Sequence, residues 1–141
     1  MRVVLDTNIL VSALMIHSSY PGAIYRAWQE GGFTLLTCAE QLEELRATFR
    51  KPLIAERIKP HSAGRLINQL KGLAEYVPKL PVVQRSPDPD DDFLLALAEA
   101  GQANYLVTGD KTGLLRLRRH RTTRIVSAKD FAALFAGKSL R

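Results

Sequence analysis

The chain has 141 residues, 20 Lys and Arg against 14 Asp and Glu, and one cysteine, Cys38. A single domain of this length can bury roughly two-thirds of its unfolded surface, so neither a disulfide framework nor a structural zinc is required. No run approaches the ~20 apolar residues of a membrane span, and Asp6 and Asn8 interrupt the apolar N-terminal stretch as a secretory signal would not allow. The expectation is one soluble domain over 1–141 in a reducing, cytoplasmic setting, with no membrane partner.

The elements read in order as strands alternating with helices. Val3, Val4 and Leu5 form a short β-branched and apolar run, a buried strand. Helical apolar spacing follows over 9–15. Pro21 in a first turn, then Ala23, Ile24, Ala27 and Trp28, predicts a second helix that Gly31 and Gly32 stop. Residues 33–36 are the next strand. Over 39–49, Leu42, Leu45 and Phe49 share a helical stripe that Pro52 ends, and 62–74 is a further helix. Residues 81–83 read as a short strand or an extended link, because prolines crowd them. Asp90 or Asp91 is then expected to cap a helix through Ala98 that Gly101 closes. Strands at 105–107 and 124–126 precede a last helix, where Ser127 and Asp130 have capping-box spacing. This alternation predicts a three-layer α/β/α domain around a central parallel sheet, with its functional crevice at the carboxyl ends of the strands.

Four segments bring carboxylates to that end. Asp6 and Asp110 directly follow predicted strands, Asp91 opens a helix, and Glu44 borders the stripe of the third helix beside Glu40 and Glu43. Each has an ordinary explanation on its own: a cap, a turn, a solvated flank. Together they gather like charge, and two charges ~4 Å apart repel by ~1 kcal/mol even in water. A hard divalent cation with oxygen ligands resolves such a cluster. Asp88, Asp90, Asp91 and Asp92 exceed what capping and the helix dipole need.

The formal charge is +6, and residues 111–129 hold seven Lys and Arg without an acid. Cations around an acidic pocket suit a nucleic-acid substrate, though total charge alone fits an ordinary solvated surface equally well. The run from Arg116 to Arg121 is thus either a solvated face or a phosphate-binding edge. Other chemistries lack their residues. No Gly-rich phosphate loop occurs, and His17, His61 and His120 are scattered as surface histidines would be. Cys38 reads as a small buried hydrophobe and Trp28 as core.

The ordered set of motifs resembles the PIN-domain nucleases, and within them the small stand-alone VapC-like toxins of toxin–antitoxin systems. The likeness is carried by residues 4–14 around Asp6-Thr7-Asn8, by Leu42-Glu43-Glu44-Leu45, by Asp88-Pro89-Asp90-Asp91-Asp92, and by residues 103–111 ending in Thr108-Gly109-Asp110. The resemblance implies a Mg²⁺- or Mn²⁺-dependent ribonuclease whose catalytic acids are Asp6, Glu44, Asp91 and Asp110. It implies metal ligation by Asp6, Asp91 and Asp110, with Asp92 a close competitor of Asp91, and Asn8 and Thr108 in support. An RNA substrate, a small antitoxin that blocks the pocket, and a homodimer are implied as partners. Close relatives often carry a further acid where this chain has Thr112, which implies tight binding of one ion or slow turnover. Two rivals remain open: a PIN-like nuclease in RNA processing or on structured DNA, and a non-catalytic RNA-binding module with a decayed site.

Overall fold

The computed structural model describes residues 1–139; Leu140 and Arg141, which the single-domain expectation includes, lie outside the described residues. Six strands form one sheet in the order β3-β2-β1-β4-β6-β5, where β1 is Arg2–Leu5, β2 Thr34–Thr37, β3 Glu75–Tyr76, β4 Tyr105–Val107, β5 Arg119–His120 and β6 Thr123–Val126. All pairings are parallel except β5 with β6, so the sheet is mostly rather than wholly parallel. The helices are α1 Thr7–Met15, α2 Tyr20–Gln29, α3 Ala39–Phe49, α4 Pro52–Ala55, α5 Pro60–Leu73, α6 Asp92–Ala100, α7 Leu114–Leu117 and α8 Ala128–Ser139. None of the described helices is long and apolar enough to cross a membrane.

The strands at the centre are buried on both faces, as their near-continuous apolar composition requires. Val3, Leu5, Leu35 and Val107 face one core with Leu10, Ile24, Trp28, Leu45, Leu66 and Phe131 from the helices. Val4, Leu36, Leu106 and Ile125 face the other, packed against Leu94, Leu95 and Leu97 of α6 and Leu114 of α7. Adjacent residues therefore serve opposite cores, the period-2 consequence of a strand between two helical layers. Phe131 stacks edge-on against both Phe33 and Tyr105, at ring separations of 5.4 and 5.6 Å, and so closes α8 over the sheet. Gly31, at φ +80°, takes the left-handed conformation that lets the chain leave α2 and enter β2.

Several sequence expectations are corrected. Residues 81–83 take the extended-link alternative and not the strand, with Val82 exposed, and the strand in that region is Glu75–Tyr76, held by its register with Leu36 and Thr37. Pro52 opens a short helix as well as ending the previous one, and α5 begins at Pro60. The basic stretch before β6 contains α7 and β5, both too short for a periodic signal. His120 is buried, not a surface residue, because Glu99 and Arg85 satisfy its two ring nitrogens at 2.9 and 3.0 Å. Cys38 is wholly buried, and that burial pushes its thiol up to about 11, an inert side chain at neutral pH.

Candidate active site

The register of the two central strands builds the site. Leu5 pairs with Val107, so the next residues, Asp6 and Thr108, leave adjacent strands side by side. Asp6 is only 5% exposed and occupies the N-cap of α1. Its Oδ1 accepts the backbone N–H of Asn8 at 3.2 Å, and its Oδ2 accepts the Thr108 hydroxyl at 2.7 Å. The cap and candidate-ligand roles thus fall on one carboxylate. Burial raises its pKa, the bonds from Thr108 and Asn8 oppose that rise, and the nearby Asp110 charge adds to it.

Thr108 couples two of the acids. While donating to Asp6, its Oγ1 accepts the backbone N–H of Asp110 at 3.1 Å. Asp110 Oδ1 in turn accepts the N–H of Gly113 at 3.0 Å and faces the Thr112 hydroxyl at 3.4 Å. Thr112 therefore supplies a neutral hydroxyl to the last carboxylate. Gly113 packs so closely on Asp110 that a Cβ there would overlap Oδ2.

The third acid comes from the other side of the crevice. Pro89–Asp91 is a single 3₁₀ turn, and Asp88 rather than Asp90 or Asp91 caps it, accepting the Asp90 N–H at 3.0 Å. Asp91 stands at the N-cap position of α6 but makes no side-chain capping bond. Its carboxyl is pushed up to about 7, first by burial and then by the charges of Asp6, Asp88, Asp110 and Glu44. Asp92 is engaged elsewhere: its Oδ1 accepts the backbone N–H groups of Arg85 and Ser86 at 3.0 and 2.7 Å, tying down the link before the turn. Glu44 sits half-buried on α3, and Asn8 is exposed at the start of α1. The structure thus brings Asp6, Asp88, Asp110 and Glu44 within electrostatic reach of Asp91, and Asp110 within reach of Asp6, while it engages Asp92 Oδ1 with the backbone of Arg85 and Ser86.

Two contributors escaped the sequence reading. Gln41 is fully buried on α3, donates to the carbonyl oxygen of Leu5 at 2.6 Å and accepts the Thr37 hydroxyl at 2.8 Å. It fastens the helix that carries Glu44 to the residue before Asp6. The available signal was its spacing: a polar residue four before Leu45 lies on the buried face. Gly113, the second, lies beyond the motif and had no signal of its own.

Every donor gathered here is a hard oxygen, the set that suits Mg²⁺ or Mn²⁺ over softer ions. Among the described residues no three carboxylate, imidazole or thiol groups are close enough to ligate one ion as they stand. The fit therefore rests on donor chemistry and on the like-charge repulsion at Asp91, which a cation would offset.

A family model described as PIN domain matches residues 2–112, and the chain belongs to the PIN-domain family. Among solved structures, VapBC2 from Rickettsia felis bound to a DNA fragment from their promoter shares the fold with a TM-score of 0.55 at 16% identity, covering 90% of this chain and 98% of that one. The PIN domain of human SMG5 shares it with a TM-score of 0.54 at 14% identity, over 95% and 99% of the two chains. No curated protein sequence matches the chain. The alternating sheet and helices deduced from sequence are the α/β fold of this family, mostly parallel in its strands.

Proposed function

We propose that the protein is a metal-dependent ribonuclease and the toxin of a toxin–antitoxin pair. The observation that carries this reading is the gathering of Asp6, Asp91, Asp110 and Glu44 at the carboxyl end of the central strands, with Asp91 pushed up to about 7 first by burial and then by its like-charged neighbours. PIN domains are generally nucleases, which gives such a cluster its reaction class. A Mg²⁺ or Mn²⁺ held by Asp6, Asp91 and Asp110 would acidify a water and offset charge on the phosphate. Asp6, locked by Thr108 and Asn8, is the rigid ligand. Asp91 and Glu44, whose side chains make no hydrogen bond among the described residues, are the adaptable ones. Glu44 is the base best placed to accept the attacking water's proton, since Asp110 already receives the Gly113 N–H.

An antitoxin is the partner this reading calls for, and its support is the VapBC2 neighbour, a toxin–antitoxin assembly. A homodimer in a cytoplasmic setting completes the proposal, with 1–141 acting as one domain. The test is cleavage of a mixed RNA panel with Mg²⁺, with Mn²⁺ and with EDTA. Cleavage should require metal and fall at least ~100-fold in Asp6→Asn and Asp91→Asn, in the range expected for loss of a principal electrostatic contributor. Metal-dependent cleavage that survives both substitutions refutes the assignment. RNA binding that persists in EDTA with no turnover would favour a decayed binding module.

A further inference from the structure

The basic stretch that follows Asp110 has no part in the chemistry above, and the fold arranges it in a distinctive way. From the strand end at Asp110 the chain passes through α7 and β5 to the outer edge of the sheet, then returns along β6. Lys111, Arg116, Arg118, Arg119 and Arg124 are all exposed along this path. Arg118, at φ +60°, turns the chain sharply from α7 into β5, and the antiparallel register sets Arg119 opposite Arg124.

The edge is tied to α6 and to the link before it by contacts around the buried His120. Glu99 of α6 receives both His120 Nε2 at 2.9 Å and Arg121 Nε at 2.8 Å. Arg85 donates to the Arg119 carbonyl at 2.7 Å and lies 3.0 Å from His120 Nδ1. Glu99 thereby binds one cation of the run, Arg121, and leaves the others alone. Among the described residues, Lys111, Arg116, Arg118, Arg119 and Arg124 have no carboxylate partner.

Shallow clefts lie between these cations. One of about 410 Å³ is bordered by Lys111, Leu115, Arg116 and Arg118. A second, of about 470 Å³, lies beside Arg85, Arg119 and Arg121, and a third, of about 440 Å³, between Arg119 and Arg124. They step from the residue after Asp110, at the carboxyl ends of the strands, along the β5 side of the sheet to the amino ends, where Arg124 pairs with Tyr105 and the third cleft also touches Met1 and Asn104.

We propose that this edge, from Lys111 through Arg116, Arg118 and Arg119 to Arg124, binds the phosphate backbone of the RNA strand cut at the acidic site. The proposal rests on the ribonuclease reading and adds to it the direction in which the substrate leaves the pocket. Unpaired, exposed cations spaced along a path suit a polyanion, whose condensed counterions they release. An acidic protein fits less well, because protein interfaces centre on apolar anchors. The large exposed apolar side chains Ile16, Tyr20, Leu53, Leu73, Tyr76, Val82 and Leu134 line none of these clefts, and Met1 alone borders one, beside Arg119 and Arg124.

The test separates the edge from the chemistry. In an Asp6→Asn background with EDTA, binding of a single-stranded RNA of ~15 nucleotides is followed by fluorescence anisotropy across a salt series. R116Q/R118Q/R119Q should lower the slope of log K against log salt by about 2, at ~0.7 per lost contact on a single strand. K51Q/R57Q/K59Q, which removes equal charge from exposed positions around α4 and before α5, should leave that slope in place. With Asp6 intact and Mg²⁺ present, the edge variant should cleave long RNA with raised KM and unchanged kcat, and should cleave a dinucleotide normally. Equal slopes for wild type and edge variant overturn the proposal, as does an equal loss in the two triple variants. Tighter binding of single-stranded DNA than RNA through the same arginines overturns the assignment to RNA. An edge-dependent slope without any cleavage by the wild type would sink the ribonuclease reading instead.

Discussion

Replacing Asp91 with Asn keeps the side-chain shape and removes one charge from the cluster, which makes it the sharpest probe of how the site is balanced. In the folded, metal-free protein the Asp91 carboxyl is pushed from near 3.8 to about 7, while in the unfolded chain it ionises at its ordinary value. Between those values the folded state binds the extra proton, so rising pH costs the folded state stability. The displacement corresponds to ~4 kcal/mol at ~1.4 kcal/mol per pH unit, and solvent screening of this partly exposed group reduces it to ~1–2 kcal/mol. The metal-free wild type should therefore lose that stability between about pH 4 and pH 7. D91N should lack most of the loss, and at pH 8 in EDTA its Tm should exceed wild type by ~3–8 °C. At pH 4.5 the two should nearly coincide. Thermal melts in EDTA from pH 4.5 to 8.5 measure this, with Asp90→Asn as the control on an exposed neighbour. Mg²⁺ should then stabilise wild type at pH 8 more than D91N, because only wild type has the surplus charge for it to offset. A D91N profile parallel to wild type would refute the account of Asp91 as a carboxyl raised by burial and by its charged neighbours.

Thr108→Val should cost ~1–3 kcal/mol by leaving the Asp6 carboxylate and the Asp110 N–H without their shared partner. Cleavage should fall at least tenfold, and Thr108→Ser should restore most of both in melts and RNA assays. Gly113→Ala should behave as a partial Asp110 lesion, because the new methyl takes the space of Oδ2; activity drops while far-UV circular dichroism holds. Gln41→Leu should cost ~1–3 kcal/mol through the orphaned Leu5 carbonyl, with kcat falling more than RNA affinity as Glu44 loses its fixed distance from Asp6.

What could be read from the chain, and what could not, follows from where the information lies. Strands β1, β2, β4 and β6 each hold a short apolar core of two or three residues, so their order with the helices was legible, and with it the end of the sheet where Asp6 and Asp110 emerge. Glu75–Tyr76 and Arg119–His120 are strands only because a neighbour's register pairs them, and no two-residue pattern announces that. The choice between Asp91 and Asp92 depends on one 3₁₀ turn. That turn gives the capping role to Asp88 and sends Asp92 to the backbone of Arg85 and Ser86. His120 misled for a related reason: its burial is made tolerable by Glu99 and Arg85, distant in sequence and invisible to spacing.

Thr112 offers the last lever, because it decides how much negative charge the site holds. Its hydroxyl sits 3.4 Å from Asp110 Oδ1, at a position where an acid would stand beside the existing carboxylates. On the proposed reading, four acids with one divalent ion leave only a modest residual negative charge. A fifth acid would add ~1 kcal/mol or more of repulsion from each carboxylate within ~4 Å, the penalty that a second ion relieves. Wild type should therefore bind one Mn²⁺ tightly in calorimetric titration. Thr112→Asp should bind a second, and without metal at pH 8 it should be less stable than wild type by ~1–2 kcal/mol, a penalty that saturating Mn²⁺ removes. Thr112→Asn, which matches the shape without the charge, should do neither. Two tight ions on the wild type, or a T112D protein that binds no more than one, would show that residue 112 does not set the number of metals.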